Sequence, residues 1–318
     1  MQSRSQLDLF EAAATTPVMA PKAKAARGAP SEDDMARRLE ATGNYKILRR
    51  LKPRPVVAEP RPGFPRIGVA VDTETTGLSH KTCEVIEIGA VAFTFDDDGR
   101  FGDVIGVYGG LQQPSKPIPA DITALTGITD EMVAGQTIDA RALSQLIGPA
   151  DLIIAHNAGF DRPFCERLDA QFRQKDWACS VAEIDWKGRG FEGTKLGYLI
   201  GQSGYFHDGH RAVDDCFALV EILAASGEGD TPFAELARSA KKSVARIWAE
   251  NSPFDMKEKL KARGYRWSDG TDGRAKSWWR DVPGDLAEEE LAFLRQQVYL
   301  RADAEPLVQH LTAADRYR

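Results

Sequence analysis

The sequence predicts an α/β fold, and three observations carry that expectation. Two short apolar runs of strand character, Arg66–Val71 and Asp151–Ala155, each lead into a polar cluster, and a third polar cluster, His210–Asp215, opens a helical repeat of apolar residues. Each cluster therefore falls at an element boundary, where a sheet presents polar groups at one rim.

The elements follow in order. Residues 1–30 are rich in Ala, Pro, Lys and Arg without periodicity, which predicts a disordered tail. Ser31 to Asp34 resembles a capping box, and Met35, Leu39, Ile47, Leu48 and Leu51 form an interrupted amphipathic stretch that Pro53 and Pro55 end. A helical, basic linker is expected over 31–62, followed by the main domain over 63–228. Within it, Arg66–Val71 is a β-branched strand with Asp72-Thr-Glu74 at its end, where the period of two points both acids to one side. Asp96, Asp97 and Asp98 before Gly99 read as a hairpin turn without a ligand role. Asp151–Ala155 is a buried strand, and HNAGFD follows it at the turn into a helix through Phe164, Leu168 and Phe172, so Asp161 opens that helix. Ala212, Cys216, Leu219, Val220 and Leu223 recur at helical spacing and set His210 and Asp215 near a helix N-terminus.

Gly227 to Pro232 separates a second, small α+β module over 232–318 with a C-terminal helix. Phe254–Arg263 reads as a basic helix with Leu260 inward, and Tyr265–Trp267 and Lys276–Trp279 read as strands around an Asp269–Gly273 turn. Four of the six tryptophans lie between residues 248 and 279. So small a module needs aromatic side chains for its own core, which assigns Trp248 and Trp267 inward and leaves Trp278 and Trp279 as candidates for stacking on nucleic-acid bases.

Composition is that of a globular protein. The chain has 318 residues, 42% of them hydrophobic, room for more than one domain, no run able to span a membrane and no visible signal peptide. Cys83, Cys165, Cys179 and Cys216 show no C-x-x-C spacing, so reduced thiols and a cytoplasmic location are expected. The net charge of -6 is unevenly divided. Residues 63–230 hold 13 Lys and Arg against 26 Asp and Glu, whereas 1–62 and 231–281 each hold 12 against 7. An acidic body repels a polyanion except where cations neutralise it, which makes the basic flanks the expected source of added nucleic-acid affinity.

Asp72, Glu74, Asp161, Asp215 and His210 suit a phosphodiester-cleaving site built around metal ions. Carboxylate oxygens are hard ligands, matched to two Mg²⁺ or Mn²⁺ ions that activate water and stabilise both oxygens of an in-line displacement. An imidazole is the natural acceptor for the water's proton. Asp214, one residue before the matching acid, is read as a solvated neighbour.

The ordered set D-T-E-T-T-G, H-N-x-x-F-D and H-x-x-x-x-D resembles the DnaQ-like, or DEDDh, 3′ to 5′ exonucleases, which include the DNA polymerase III epsilon subunit. The likeness covers about residues 65–226 and implies an RNase H-like fold, a mixed five-stranded sheet flanked by helices. It makes Asp72, Glu74, Asp161 and Asp215 metal ligands and His210 the general base. It also sets Thr75, Thr76, Gly77 and Leu78 against the 3′-terminal nucleotide, with Asn157 fixing the turn before Asp161 and touching the nucleotide secondarily. Where family members often carry His-Gly-Ile after the third strand, this chain has Thr126-Gly127-Ile128 preceded by Leu125. The implied partners are single-stranded or frayed DNA ends and DNA polymerase III. Gln6-Leu7-Asp8-Leu9-Phe10 resembles the bacterial sliding-clamp binding pentapeptide, in which a flexible tail inserts a Leu-Phe pair into an apolar pocket. The expected activity is metal-dependent hydrolysis of DNA from the 3′ end in proofreading or repair. An RNA-trimming exonuclease and a non-catalytic clamp or DNA adaptor are the rival expectations, the second disfavoured because all five site residues are present.

Overall fold

A computed structural model of the chain describes residues 30–225, 229–271, 273 and 276–318. The clamp-like pentapeptide lies outside these residues. Residues up to Leu48 and residues Arg49–Arg318 divide into two units. In the first, the expected capping box is present: Ser31 Oγ accepts the Asp34 N–H at 3.1 Å and the Asp34 carboxylate accepts the Ser31 N–H at 3.3 Å, opening helix α1 (Glu32–Glu40). The helix is shorter than the expected linker. Gly43 takes φ +73, and no helix follows between 41 and 65, where prolines recur.

In the second unit, cations of the linker are held by acids of the main domain. Arg50 pairs with Asp208 at 2.7 Å, Arg54 with Glu221 at 2.8 Å and Arg61 with Asp103 at 2.9 Å. These side chains offset the acidic body, and to that extent they depart from the expected role in holding nucleic acid.

Five segments form one mixed sheet: β1 (Arg66–Thr75), β2 (Val85–Phe95), β3 (Phe101–Leu111), β4 (Leu152–Ala155) and β5 (Trp177–Cys179). Their spatial order is β3-β2-β1-β4-β5, with β1, β2 and β3 antiparallel and β4 and β5 parallel to β1. The Asp96–Gly99 turn joins β2 to β3 as expected, with Asp96 Oδ1 accepting the N–H groups of Asp98 and Arg100.

Alternation assigns the two faces. Val69, Val71, Ile153 and Ala155 pack with helices α2 (Ala140–Ile147) and α3 (Ala158–Leu168). Ala70, Ile154 and Ala178 face the other way, against α4 (Leu196–Gln202), α5 (Ala212–Leu223) and α6 (Pro232–Ala240). The sequence places helix α6 beyond the main domain, and the structure corrects this. Phe233 is fully buried, its ring edge-on to Phe93 at 5.1 Å and to Phe95 at 5.0 Å.

The remaining chain builds a four-stranded antiparallel sheet from β6 (Val244–Ala249), β7 (Arg266–Ser268), β8 (Ser277–Pro283) and β9 (Leu307–Leu311), in the order β9-β6-β8-β7. Of the expected turn, Asp269, Gly270, Thr271 and Gly273 are described and lie between the two strands. Helices α7 (Lys257–Ala262) and α8 (Ala287–Phe293) cover one face, burying Leu260, Leu291 and Leu294. Trp248 is 3% exposed, as expected, but Trp267 is 51% exposed. Its strand is the sheet edge and only three residues long, so half of the indole has nothing to pack on.

Residues 312–318 return to the main domain as a strap. The Trp177 N–H donates to the Ala313 carbonyl, and the fully buried Arg162 donates to the carbonyls of Ala314 and Arg316 while pairing with Glu166 at 2.7 Å. Arg162 adjoins Asp161, so the strap anchors the helix that carries that acid. No helix among the described residues is long and apolar enough to cross a membrane. All four cysteines are free thiols, three of them buried.

Candidate active site

Alternation along β1 decides which acids meet. Asp72 and Glu74 share the face of Ala70, under α5, and there Asp215 joins them: the three offer oxygens within 4.8 Å of one another. Thr73 points to the opposite face, where α3 arrives. Its N–H and Oγ1 both donate to Asp161 Oδ1, at 3.0 and 2.8 Å. Asp161 thus reaches the end of β1 from the other side of the sheet, oriented by the residue between the other two acids.

Burial and crowding raise these carboxyls. Desolvation pushes Asp72 well above the usual carboxylate range, with the charges of Asp161, Asp215 and Glu74 adding to it. Desolvation, then Asp215 and Glu87, lifts Glu74 to about 8. Asp161 is raised by its burial against the opposing pull of the Thr73 hydrogen bonds. Arg211 offsets part of this charge at Glu74, and the donors of the cluster are all hard oxygens, a set that could hold divalent cations.

Asp215 is fixed by three donors. His207 Nε2 lies 2.8 Å from Oδ1, while the N–H groups of His210 and Arg211 donate to Oδ2 at 2.7 and 3.2 Å. With the carboxylate ionised, His207 Nε2 carries the proton. His210, expected as the general base, contributes only its backbone to these contacts; it is exposed and takes φ +65. A β-carbon in that conformation is disfavoured, which is a common mark of functional loops. Asp214 is exposed and outside the carboxylate cluster.

The motifs do not point to Glu87, yet it belongs to the site. It lies opposite Glu74 across the β1–β2 ladder, and its carboxylate accepts from Arg211 Nη2 at 2.8 Å and from the Ala212 N–H at 3.0 Å. It therefore caps α5 and fixes the segment between His210 and Asp215. A lone acid inside the apolar run Val85-Ile-Glu87-Ile-Gly-Ala-Val is its signal in the sequence.

The other expected residues are located as follows. Thr75 donates to the Gly77 carbonyl at 2.7 Å, and Thr76 exchanges hydrogen bonds with the backbone of Glu84, which pins the turn after β1. A β-carbon on Gly77 would lie 2.9 Å from Cys83 Sγ, and Leu78 stands 86% exposed. Asn157 takes φ +85 at the start of α3, a conformation Asn tolerates. The adjacent His156 is held between Ser180 Oγ and the Thr194 carbonyl, each at 2.7 Å, so Nε2 donates and Nδ1 accepts. Gly127 ends its helix at φ +70, Ile128 is fully buried and Leu125 is 55% exposed. Trp278 packs beside Trp267 at 5.4 Å and against the accessory core, whereas the Trp279 ring carries Arg246 at 4.4 Å and Arg266 at 4.2 Å.

The main domain is similar to known proteins. The RNase T exonuclease family model matches residues 69–223. The DNA polymerase III epsilon subunit of Treponema pallidum is 32% identical over 164 residues, covering 48% of this chain and 73% of that protein. A PolC-type DNA polymerase III of Thermotoga petrophila is 30% identical over 163 residues, 49% of this chain but only 11% of that much longer protein. Among solved structures, exonuclease X in complex with 5′ overhanging duplex DNA covers 54% of the chain at 21% identity and TM-score 0.38, and 90% of that chain is covered in turn. The zinc-bound form of an Escherichia coli ExoI–ssDNA complex covers 73% of the chain at 13% identity and TM-score 0.46, with 71% of its own chain covered. The mixed sheet, the carboxylates at its rim and the extended match to an epsilon subunit lead to one conclusion: the chain belongs to the DnaQ-like exonucleases of the RNase T family.

Proposed function

We propose that this exonuclease is a divalent-metal-dependent enzyme that digests single-stranded or frayed DNA from the 3′ end and releases nucleoside 5′-monophosphates. The observation that supports it is the convergence of Asp72, Glu74 and Asp215 within 4.8 Å, with Asp161 delivered to the same strand end by Thr73. These four carboxylates would hold Mg²⁺ or Mn²⁺. When bound, such ions supply Lewis-acid activation of water and neutralise charge on the phosphoryl oxygens.

The chain's own groups do the rest. His210 sits on an exposed loop, where its imidazole can take the proton of the attacking water, while His207 steadies Asp215 from the other side. Thr75 and Thr76 hold the turn that offers Leu78 as an apolar surface for the terminal base. The exposed Asn157 contacts the same nucleotide from α3.

The purified 318-residue chain on matched single-stranded DNA, frayed duplex and RNA, with free or blocked 3′ ends, tests the reading. Mononucleotide release is expected from free-ended DNA with Mg²⁺ or Mn²⁺ and none in EDTA; digestion of 3′-blocked strands, or a preference for RNA, would contradict it.

The cellular setting belongs to the same proposal: a cytoplasmic enzyme of proofreading or repair, held at the sliding clamp by Gln6, Leu7, Asp8, Leu9 and Phe10 and working beside DNA polymerase III. In a clamp pull-down, Leu9→Ala with Phe10→Ala is expected to reduce retention by at least about tenfold, since removing two buried apolar anchors costs upwards of about 1.4 kcal/mol. Undiminished retention would discard the tether.

A further inference from the structure

A cleft of about 690 Å³ lies between the main and accessory sheets, and its charge is opposite to that of the body around it. Lys242, Arg246, Arg266, Arg316 and Arg318 line it against only two carboxylates, Glu183 and Asp281. Its wall on the nuclease side includes Asn157 and Gly159, the first turn of the helix that carries Asp161. Asn157 lies two residues beyond Ala155, which is paired with Val71 one residue before Asp72. The basic cleft therefore begins at the catalytic rim.

The opposite wall is built to present guanidinium groups. The Trp279 indole has Arg246 and Arg266 at 4.4 and 4.2 Å from its ring centroid, and Arg246 is further held by Asp281 at 2.7 Å. Stacking on an indole fixes the plane of a guanidinium and leaves its N–H edge for an anion. Arg266, Lys242 and Arg318 are exposed. Arg316 is 4% exposed, and its Nε is a buried donor with no hydrogen-bond partner, although its other nitrogens meet Glu183 and two carbonyls.

We propose that this cleft carries the single-stranded DNA upstream of the 3′ end, its phosphates meeting Lys242, Arg266 and Arg318 while Trp279 serves as a platform for arginines. The inference rests on the exonuclease reading for the strand's polarity. It gives the accessory sheet a task, holding the strand that the acidic nuclease body repels.

The test is fluorescence anisotropy of a 5′-labelled dT20 strand with the full chain in EDTA, compared with turnover of dinucleotide and 20-mer substrates in Mg²⁺. Lys242→Ala with Arg266→Ala is expected to weaken dT20 binding about tenfold or more. The salt slope should fall by about 1.4, roughly 0.7 for each lost single-strand phosphate contact. The loss should grow with strand length and be at most about twofold for a dinucleotide. Phe254→Ala, at an exposed position that does not line the cleft, should leave dT20 binding unchanged. Unchanged binding in the double variant, an equal loss in Phe254→Ala, a loss independent of length, or tighter binding of an RNA 20-mer than of dT20 would each overturn the proposal. Failure of the wild-type protein to cleave either substrate would instead overturn the exonuclease reading, and anisotropy would still decide whether the cleft holds a strand.

Discussion

Asp72→Ala is expected to lower metal-dependent nuclease turnover by on the order of 10³-fold, because losing one carboxylate of the cluster removes several kcal/mol of transition-state charge stabilisation. The same electrostatics makes a second, opposite prediction about stability. Burial and neighbouring acids raise Glu74 from 4.5 to about 8. A carboxyl whose folded pKa exceeds its unfolded value favours the native state while protonated. That contribution is complete below the unfolded value and is lost as pH rises through the folded one. Metal-free protein should therefore lose stability between about pH 4.5 and 8 on account of Glu74, and Mg²⁺ should restore it. Glu74→Gln keeps the shape and removes the charge. At one pKa unit per about 1.4 kcal/mol, discounted for the solvent-facing side of the residue, the variant should gain about 2 kcal/mol at pH 8 in EDTA while losing activity. Denaturant melts with and without Mg²⁺ measure both effects. A Glu74→Gln protein no more stable than wild type in EDTA at pH 8 would mean the cluster is not frustrated.

The difference between what could be read from the chain and what could not is one of sequence distance. Asp72, Glu74, Asp161 and Asp215 were legible because local rules apply: an acid pair at a strand end shares a face, and a helix start follows a buried strand. The hairpin at Asp96–Gly99 and the cap at Ser31 are local in the same way. Glu87 stands out only as a lone acid in an apolar run, and its role is not legible, since its partner Arg211 is 124 positions away and nothing near Glu87 announces a guanidinium. Thr73 is invisible for a related reason. Its hydrogen bond to Asp161 requires α3 to arrive from the face opposite α5. Gly227 to Pro232 had the composition of a separator, yet Phe233 just beyond it enters the aromatic cluster of β2, which only the tertiary fold reveals. For the tryptophans, patterning gave the strands but not their places in the sheet. Trp248 sits on a central strand and is buried, Trp267 on an edge and is not.

The close approach of α5 to the sheet is the other feature on which the site depends, and Gly89 permits it. Gly89 pairs with Asp72 across the β1–β2 ladder and lies directly beneath the start of α5. A β-carbon there would stand 2.3 Å from the Ala212 carbonyl carbon and 2.5 Å from the Val213 nitrogen, both backbone atoms that no rotamer change can move. Gly89→Ala must therefore push the first turn of α5 away from β2, and Asp215 lies in that turn with its oxygens committed to His207, His210 and Arg211. Overpacking of this kind costs about 1–3 kcal/mol, and a displacement near 1 Å at a reacting centre costs about 10²-fold in rate. Gly201, in α4, has open space where a β-carbon would stand, with nothing within 4 Å, so Gly201→Ala should instead stabilise by up to about 1 kcal/mol. Turnover in Mg²⁺ and thermal melts of the two variants give the comparison. A Gly89→Ala protein with wild-type rate and melting temperature would show that α5 is seated by Glu87 and Arg211 alone, whereas the expected loss makes one missing side chain as necessary to the cluster as the acids it brings together.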